Sequence, residues 1–374
     1  MSDSNQAALI DHAGKGIRSL APYQPGKPIE ELQRELGIDD VVKLASNENP
    51  LGPGSAAMKA ATWSLTDMAR YPDGSGFRLK AALANFHGCA PECVTLGNGS
   101  NEVLEFVARV FAGPGDEIVF SEHCFIVYPL AALAIGAMGI KVPARDFGHD
   151  LGAMVRAVTP RTRIVFIANP NNPTGTWADE SALRHLLDSV PLDCMVVVDE
   201  AYFEYVERDG YPDATCLMAS YPNLMVTRTF SKVHGLAAMR IGYALSSPEV
   251  ADLLNRVRMP FNVNEPSMAA AEAALGDRAH VAASIAANNA GMVQLEEGFK
   301  RLGLDFIPSI ANFITFDCGR PAEPVFDALL REGVIVRPIA GYGLPNHLRV
   351  TIGTESENNR FLTATGRVLA GKKP

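Results

Sequence analysis

The sequence predicts an α/β protein, with a large domain built on a mainly parallel mixed sheet and a smaller α+β domain beside it. Short runs rich in Val, Ile and Phe alternate along the chain with stretches of helical periodicity. Three such runs, at 164–168, 195–198 and 224–226, start about thirty residues apart, the spacing of strand–helix–strand units. After Ser284 the pattern gives way to a long helical stretch and two further strand-like runs, which marks a second unit.

Residues 1–19 read as an N-terminal arm, and 51–283 as the large domain. Between the first two strand-like runs Leu183, Leu186, Leu187 and Val190 recur at i, i+3, i+4 and i+7, the stripe of a helix packed on a sheet. Each run ends in polar residues. Parallel sheets bind ligands beyond the carboxyl ends of their strands, where Asn172, Asp199 and Lys232 fall. The second unit, 284–374, carries the helical positions Met292, Leu295 and Phe299 and strand-like runs at 313–316 and 334–336. Its expected partner is the segment 23–49, so residues 20–50 form the N-terminal part of the small domain and a linker.

With 374 residues, 47% of them hydrophobic and 20% charged, the chain can bury a large core. Its 33 basic and 42 acidic residues leave a net charge of -9, and no Lys/Arg cluster forms a phosphate-backbone footprint, which argues against nucleic acid. Nothing near Asp3 and Asp11 resembles a secretory signal. The longest uncharged stretch, 125–140, contains Pro129 and two glycines. It falls short of the roughly 18 apolar residues of a spanning helix, so it reads as buried core and no membrane partner is expected. Six scattered cysteines predict reduced thiols in the cytoplasm. His87, Cys89 and Cys93 have metal-ligand side chains, but no second pair follows at zinc-site spacing, so no metal is expected.

The segment Thr227-Arg228-Thr229-Phe230-Ser231-Lys232 places a lysine just beyond an apolar strand, with Arg240 following. In a partly desolvated pocket a lysine amine loses its charge and becomes nucleophilic enough to form a Schiff base with a carbonyl cofactor. A lysine capping a surface turn has the same local look. Asp199, delivered by Val196-Val197-Val198, decides between them, because a buried anion needs a partner. The pyridinium nitrogen of pyridoxal phosphate is such a partner, and holding it protonated keeps the ring an electron sink. Tyr202 is placed to donate to the ring hydroxylate. A metal-binding aspartate of Walker-B type is the alternative, but no Gly-x-x-x-x-Gly-Lys-Ser/Thr loop precedes it.

Gly97-Asn98-Gly99-Ser100-Asn101-Glu102 leads into the helical stripe Val103, Phe106, Val107, Val110, Phe111. Unpaired amides and the helix dipole favour an anion at such a start, Ser100 adds a hydroxyl, and Arg240 supplies countercharge. A simple capped helix reads alike. Asn169-Pro170-Asn171-Asn172-Pro173-Thr174-Gly175 sets two prolines among three asparagines, a rigid strand-to-helix loop from which Asn172 can also face the cofactor.

From about residue 23 to 359 the chain resembles the class I/II, fold-type-I pyridoxal-phosphate-dependent aminotransferases, and within them the histidinol-phosphate aminotransferases. The resemblance rests on the segments 23–28, 43–52, 71–73, 97–102, 169–175, 199–202, 229–232, 260–264 and 348–354. It implies that Lys232 forms the internal Schiff base, Asp199 holds the pyridine nitrogen, Asn172 and Tyr202 contact the ring oxygen, and Phe125 stacks on the ring. It assigns the cofactor phosphate to Ser100, Asn101, Thr229, Ser231 and Arg240, with Tyr71 reaching across from a second subunit, and hence implies a homodimer. Arg349 matches the arginine for the amino acid carboxylate; Tyr23 and Arg337 match residues near a substrate phosphate, and Asn172 also borders the substrate. One departure is Ser121-Glu122-His123-Cys124-Phe125, where many relatives carry Pro-Thr before the stacking aromatic.

The activity so implied is transamination of L-histidinol phosphate with 2-oxoglutarate, yielding imidazole acetol phosphate and L-glutamate in histidine biosynthesis. The physical reading agrees, since one site must take both a phosphate and a carboxylate and arginine forks accept either. Aromatic amino acid transamination is the alternative, followed by decarboxylation of an amino acid phosphate. The ligand-sensing half of a transcription regulator is disfavoured, because enzyme-like motifs begin by Tyr23 and fill the chain.

Overall fold

The computed structural model describes residues 9–21 and 26–371, and Tyr23 lies outside them. Thirteen strands among the described residues form three sheets. They are β1 (Val42–Lys43), β2 (Val94–Gly97), β3 (Glu117–Ser121), β4 (Met138–Val142), β5 (Thr162–Ala168), β6 (Met195–Asp199), β7 (Leu224–Thr229), β8 (Gly242–Leu245), β9 (Phe306–Ile307), β10 (Phe313–Asp317), β11 (Val334–Ile335), β12 (Arg337–Pro338) and β13 (His347–Thr351).

The largest sheet has seven strands in the order β2-β8-β7-β6-β5-β3-β4. Only β8 runs antiparallel to its neighbours, so the sheet is mixed and mainly parallel. The three apolar runs are β5, β6 and β7, side by side. Their continuous hydrophobicity follows from burial on both faces. Val197 packs with Val103, Phe106 and Tyr128 on one side, while Val196 and Val198 pack with Leu183, Leu186 and Leu187 on the other. The stripe around Leu183 forms the helix Glu180–Ser189, begun by Asp179, whose carboxylate accepts from the Ala182 amide. Chain order reverses between β3 and β5, and the cleft opens beyond the carboxyl ends at that point. Register sets Ala168 beside Asp199 and Asp199 beside Thr227.

A four-stranded antiparallel sheet, β12-β13-β10-β9, and the parallel pair β1-β11 complete the strands. Leu44, Leu295, Phe299, Phe316, Leu348 and Phe361 form one apolar cluster that joins this sheet to its helices. The long helical stretch read after Ser284 belongs to the helix Arg278–Leu302, which starts six residues earlier. One expectation needs correction. The stretch 125–140 is only partly core: helix Val127–Ala134 buries Tyr128, Ala131 and Ala132, but Met138 is exposed on the edge strand β4. Within the arm, Lys15–Ser19 is a short helix lying against Val127–Ala134.

Candidate active site

The carboxyl ends of β5, β6 and β7 open into a cleft of about 180 Å³. Ser100, Asn101, Phe125, Asn172, Asp199, Tyr202, Thr229, Ser231, Lys232, Arg240, Arg337 and Arg349 all line it. Tyr71 does not; it is 82% exposed and stacks on Phe261 with ring centroids 4.8 Å apart.

Asp199 forms the floor. Its carboxylate is buried and accepts hydrogen bonds from Thr227 Oγ1 at 3.0 Å and Tyr128 Oη at 3.1 Å. Burial raises its pKa, and those two hydroxyls pull it part of the way back. Tyr128 is itself fixed by stacking on Phe166 at 4.6 Å, and Phe125 meets it edge-on at 5.9 Å. Among the described residues no lysine or arginine forms an ion pair with Asp199, so a cationic ring nitrogen fits the place.

Lys232 points across the same space, its amine donating to the Ser46 carbonyl at 3.2 Å and lying 5.5 Å from the centre of the Tyr202 ring. Burial lowers its pKa to about 7, helped by the nearby charges of Arg349 and Arg240 and opposed by those of Glu48 and Asp199. A neutral amine near neutral pH is what attack on an aldehyde requires. The Tyr202 phenol receives a hydrogen bond from Asn47 Nδ2 at 2.9 Å, and burial pushes its pKa up to about 12.

Helix Ser100–Phe111 begins at Gly99, whose φ of 81° lies in the left-handed region, and no side chain caps it. A Cβ on Gly242 would stand 2.4 Å from the Ser100 amide nitrogen, so glycine there lets β8 approach the helix start. Arg240 flanks the same end, its guanidinium 3.4 Å from Ser231 Oγ. Uncapped amides, two hydroxyl residues of β7 and its following loop, and a guanidinium fit a phosphate. Together with Asp199 and Lys232 they fit a pyridine ring that bears both an aldehyde and a phosphate.

The three asparagines of the loop after β5 have separate tasks. Asn169 exchanges hydrogen bonds with Ala178, donating at 3.0 Å and accepting at 2.9 Å. Asn171 Nδ2 donates to the His123 carbonyl and to Thr174 Oγ1, both at 2.8 Å. Asn172 reaches the cleft, where Oδ1 accepts from Arg349 Nη1. Arg349, on β13, also donates to the Ala45 carbonyl at 2.8 Å and lies over Phe313 at 5.2 Å. In the antiparallel register Arg337 on β12 is its direct partner.

Sequence reasoning missed Asn47, Tyr128, Thr227 and Tyr342. Asn47 lies within a motif that carried the resemblance, which was the available signal. Tyr128 lies in an apolar segment with no local mark of polar duty, and Thr227 opens the lysine segment without marking which group it serves. A second groove is lined by Trp63, Met68, Tyr71 and Pro266, with the first three strongly exposed.

The family model of aminotransferase class I and II matches residues 39–364. Histidinol-phosphate aminotransferase 2 of Pseudomonas fluorescens Pf-5 is 58% identical over 96% of this chain and 97% of its own length. The enzyme of that name from Pseudomonas aeruginosa is 57% identical over 96% and 98%. Among solved structures, histidinol-phosphate aminotransferase from Sinorhizobium meliloti in complex with pyridoxal-5'-phosphate superposes with a TM-score of 0.89 at 28% identity, covering 96% of this chain and 98% of the other. Aspartate aminotransferase from Thermus thermophilus with maleate shares the fold, with a TM-score of 0.82 at 22% identity over 95% and 99% of the two chains.

Proposed function

The chain belongs to the class I and II aminotransferases, among the histidinol-phosphate aminotransferases, and from that premise we propose that it moves the amino group of L-histidinol phosphate to 2-oxoglutarate. The products are imidazole acetol phosphate and L-glutamate, which makes the reaction a step of histidine biosynthesis. The observation that carries the substrate reading is the pairing of Arg337 with Arg349 across β12 and β13 on one wall of the cleft. Cross-strand neighbours on one face lie close enough for their side chains to act on a common group. A phosphate on one substrate and a carboxylate on the other are both such groups.

Pyridoxal phosphate, the cofactor of the family, supplies when bound an electron sink for the charge that develops at the substrate carbon. In this reading Ser100, Asn101, Thr229, Ser231 and Arg240 bind its phosphate, Asp199 keeps its ring nitrogen protonated, and Phe125 covers the ring face. Asn172 and Tyr202 donate to the ring oxygen. The Lys232 amine would hold the cofactor's aldehyde carbon and, when free and neutral, would serve as the general base and acid for the proton at the substrate carbon. Arg349 orients the acceptor's carboxylate and Arg337 the donor's phosphate, with Tyr23 assigned beside it.

We further assign a homodimer in which Tyr71 reaches the partner's cofactor phosphate. Its support is the groove around Trp63, Met68 and Tyr71, too apolar and too exposed for a surface facing only water. A cytoplasmic location belongs to the same reading and accords with six free thiols. Among the described residues no helix is long and apolar enough to cross a membrane.

The test is glutamate formation by the purified protein with excess cofactor and 2-oxoglutarate, comparing histidinol phosphate, phenylalanine and tyrosine as donors. We expect kcat/KM for histidinol phosphate to exceed the others by on the order of a hundredfold, the discrimination a buried charge-assisted contact supports. Equal values, or carbon dioxide release, would overturn the assignment.

A further inference from the structure

Three aromatic rings from separate elements meet at the rim of the cleft. His123 lies on the loop after β3, Phe147 in the turn after β4, and His347 opens β13, the strand that carries Arg349. His123 and Phe147 stack with centroids 6.2 Å apart and 29° between planes, and Phe147 meets His347 at 5.9 Å and 59°. His123 Nδ1 donates to the Tyr342 carbonyl at 2.7 Å, and a Cβ on Gly343 would lie 3.5 Å from its ring. The imidazole is therefore seated on the turn Ala340–Tyr342, which follows Arg337 on β12 and whose Tyr342 lines the cleft. On its other side the His123 carbonyl is held by Asn171, and Phe125 follows two residues later.

Phe147 occupies its place against the preference of its backbone. Asp146 and Phe147 have φ values of 50° and 63°, and Arg145 and Gly148 exchange backbone hydrogen bonds of 3.1 and 2.8 Å around them. A two-residue turn of this hand ordinarily takes Asn-Gly, and a bulky aromatic in it is an outlier. The available glycine, Gly148, sits one position too late to relieve it and has no positive φ. Strain that persists where a ring bridges two histidines beside a substrate cleft points toward function.

We propose that His123 and Phe147 are positioning residues for the anionic end of the substrate. Phe147 braces His123 against His347; His123 holds the Tyr342 turn; and the turn and β13 together set where Arg337 and Arg349 stand relative to Phe125 and Lys232. The inference rests on reading the cleft as a transaminase site for anionic substrates. It adds that the anion clamp is built by a contact between the two sides of the cleft, not by β12 and β13 alone.

The test uses the holoenzyme and four variants: Phe147→Gly, Phe147→Leu, His123→Leu and His123→Asn. Glycine at 147 removes the ring while suiting the backbone, and asparagine at 123 keeps a donor where Nδ1 stood. Each is measured for KM and kcat, for the visible absorption of bound cofactor, and by calorimetry for binding of succinate, an unreactive dianion. We expect Phe147→Gly and His123→Leu to raise KM for both substrates and the succinate Kd five- to tenfold. Their kcat should stay within twofold of wild type and their cofactor band unchanged. Phe147→Leu should fall between, and His123→Asn should return to within twofold of wild type. Unaltered KM and Kd in Phe147→Gly and His123→Leu would overturn the proposal, as would kcat and cofactor loss in step with KM, or no rescue by asparagine. Donor preference of the wild type tests the functional assignment separately. The ratio of variant to wild-type succinate affinity reports on the positioning residues whichever donor is used.

Discussion

The side-chain amide of Asn47 donates a 2.9 Å hydrogen bond to the phenol of Tyr202, joining residues 155 positions apart in the sequence. Asn47 is itself fixed from the small antiparallel sheet and its approach: its amide donates to Thr351 Oγ1 at 2.9 Å and its carbonyl accepts from Asn312 Nδ2 at 3.0 Å. Its φ of 56° is one that asparagine tolerates better than most side chains. Asn47→Ala therefore leaves a buried phenol short of a partner, in a backbone conformation alanine disfavours. The expected loss is about 1–3 kcal/mol of stability by chemical denaturation. It should bring a fall in kcat on the order of tenfold, smaller than for a direct proton-transfer group. Unchanged kcat would show that Tyr202 keeps its orientation without this donor.

The pH response of the cofactor-free protein follows from Lys232. Its pKa lies near about 7, lowered from the usual lysine range first by burial and then by Arg349 and Arg240. The reactive neutral amine should grow as pH rises through that value, so the rate of cofactor uptake, followed by its visible absorption, should climb with a midpoint near 7. Removing the like charge in Arg349→Gln should move the midpoint upward. For stability the sign is the reverse of a salt-bridged lysine. The unfolded chain binds the extra proton between about 7 and 10.5, so the penalty is full below this window and fades as pH rises through it.

Directly behind the cleft Arg228 forms an ion pair with Glu200 at 2.7 Å and reaches Asp213 at 2.8 Å, with its guanidinium 3.5 Å from the Phe203 ring centre. Burial raises Glu200 to about 7 and Glu204 to about 6, and in both cases Arg228 is the chief opposing charge. Arg228→Met should cost about 3–5 kcal/mol near pH 8, where the wild-type carboxylates are ionised and the variant must either bury them without their cation or protonate them. Without Arg228 both acids titrate above their wild-type values, so the deficit should shrink as pH falls toward about 7 for Glu200 and about 6 for Glu204, and stay constant below. Urea titrations at pH 8 and pH 5 measure it, and an equal loss at both would show that packing against Phe203 dominates.

How much of this was legible in the sequence depended on whether a residue's duty left a local trace. Strands β5, β6 and β7 announce themselves because burial on both faces permits only apolar residues. Lys232, Asp199 and Asn172 follow from standing at the ends of those strands. Tyr128 and Thr227 do not, because their hydrogen bonds to Asp199 are made across 71 and 28 positions, and neither the apolar surroundings of Tyr128 nor the lysine segment that Thr227 opens points to that carboxylate. The edge strand β4 was misread for the complementary reason: an uncharged run can also be half exposed. Phe147 gives no signal at all, since its meaning lies in a backbone angle and in the two rings it touches.

Arg337 offers the sharpest separation between a phosphate-bearing donor and an aromatic one. It stands across from Arg349 in the register of β12 and β13, on the wall facing Lys232, and both line the cleft. Histidinol phosphate has no carboxylate, so in the proposed reading its phosphate is held by this wall, whereas phenylalanine presents a carboxylate assigned to Arg349. A charge-assisted contact is worth about 1.5–3 kcal/mol. Arg337→Leu should therefore raise KM for histidinol phosphate by roughly 10- to 150-fold while changing that for phenylalanine by less than about threefold. Steady-state kinetics with the two donors at saturating 2-oxoglutarate measure the ratio. Equal losses would mean that Arg337 only maintains the shape of the wall, leaving the phosphate to Arg349 and to residues outside β12.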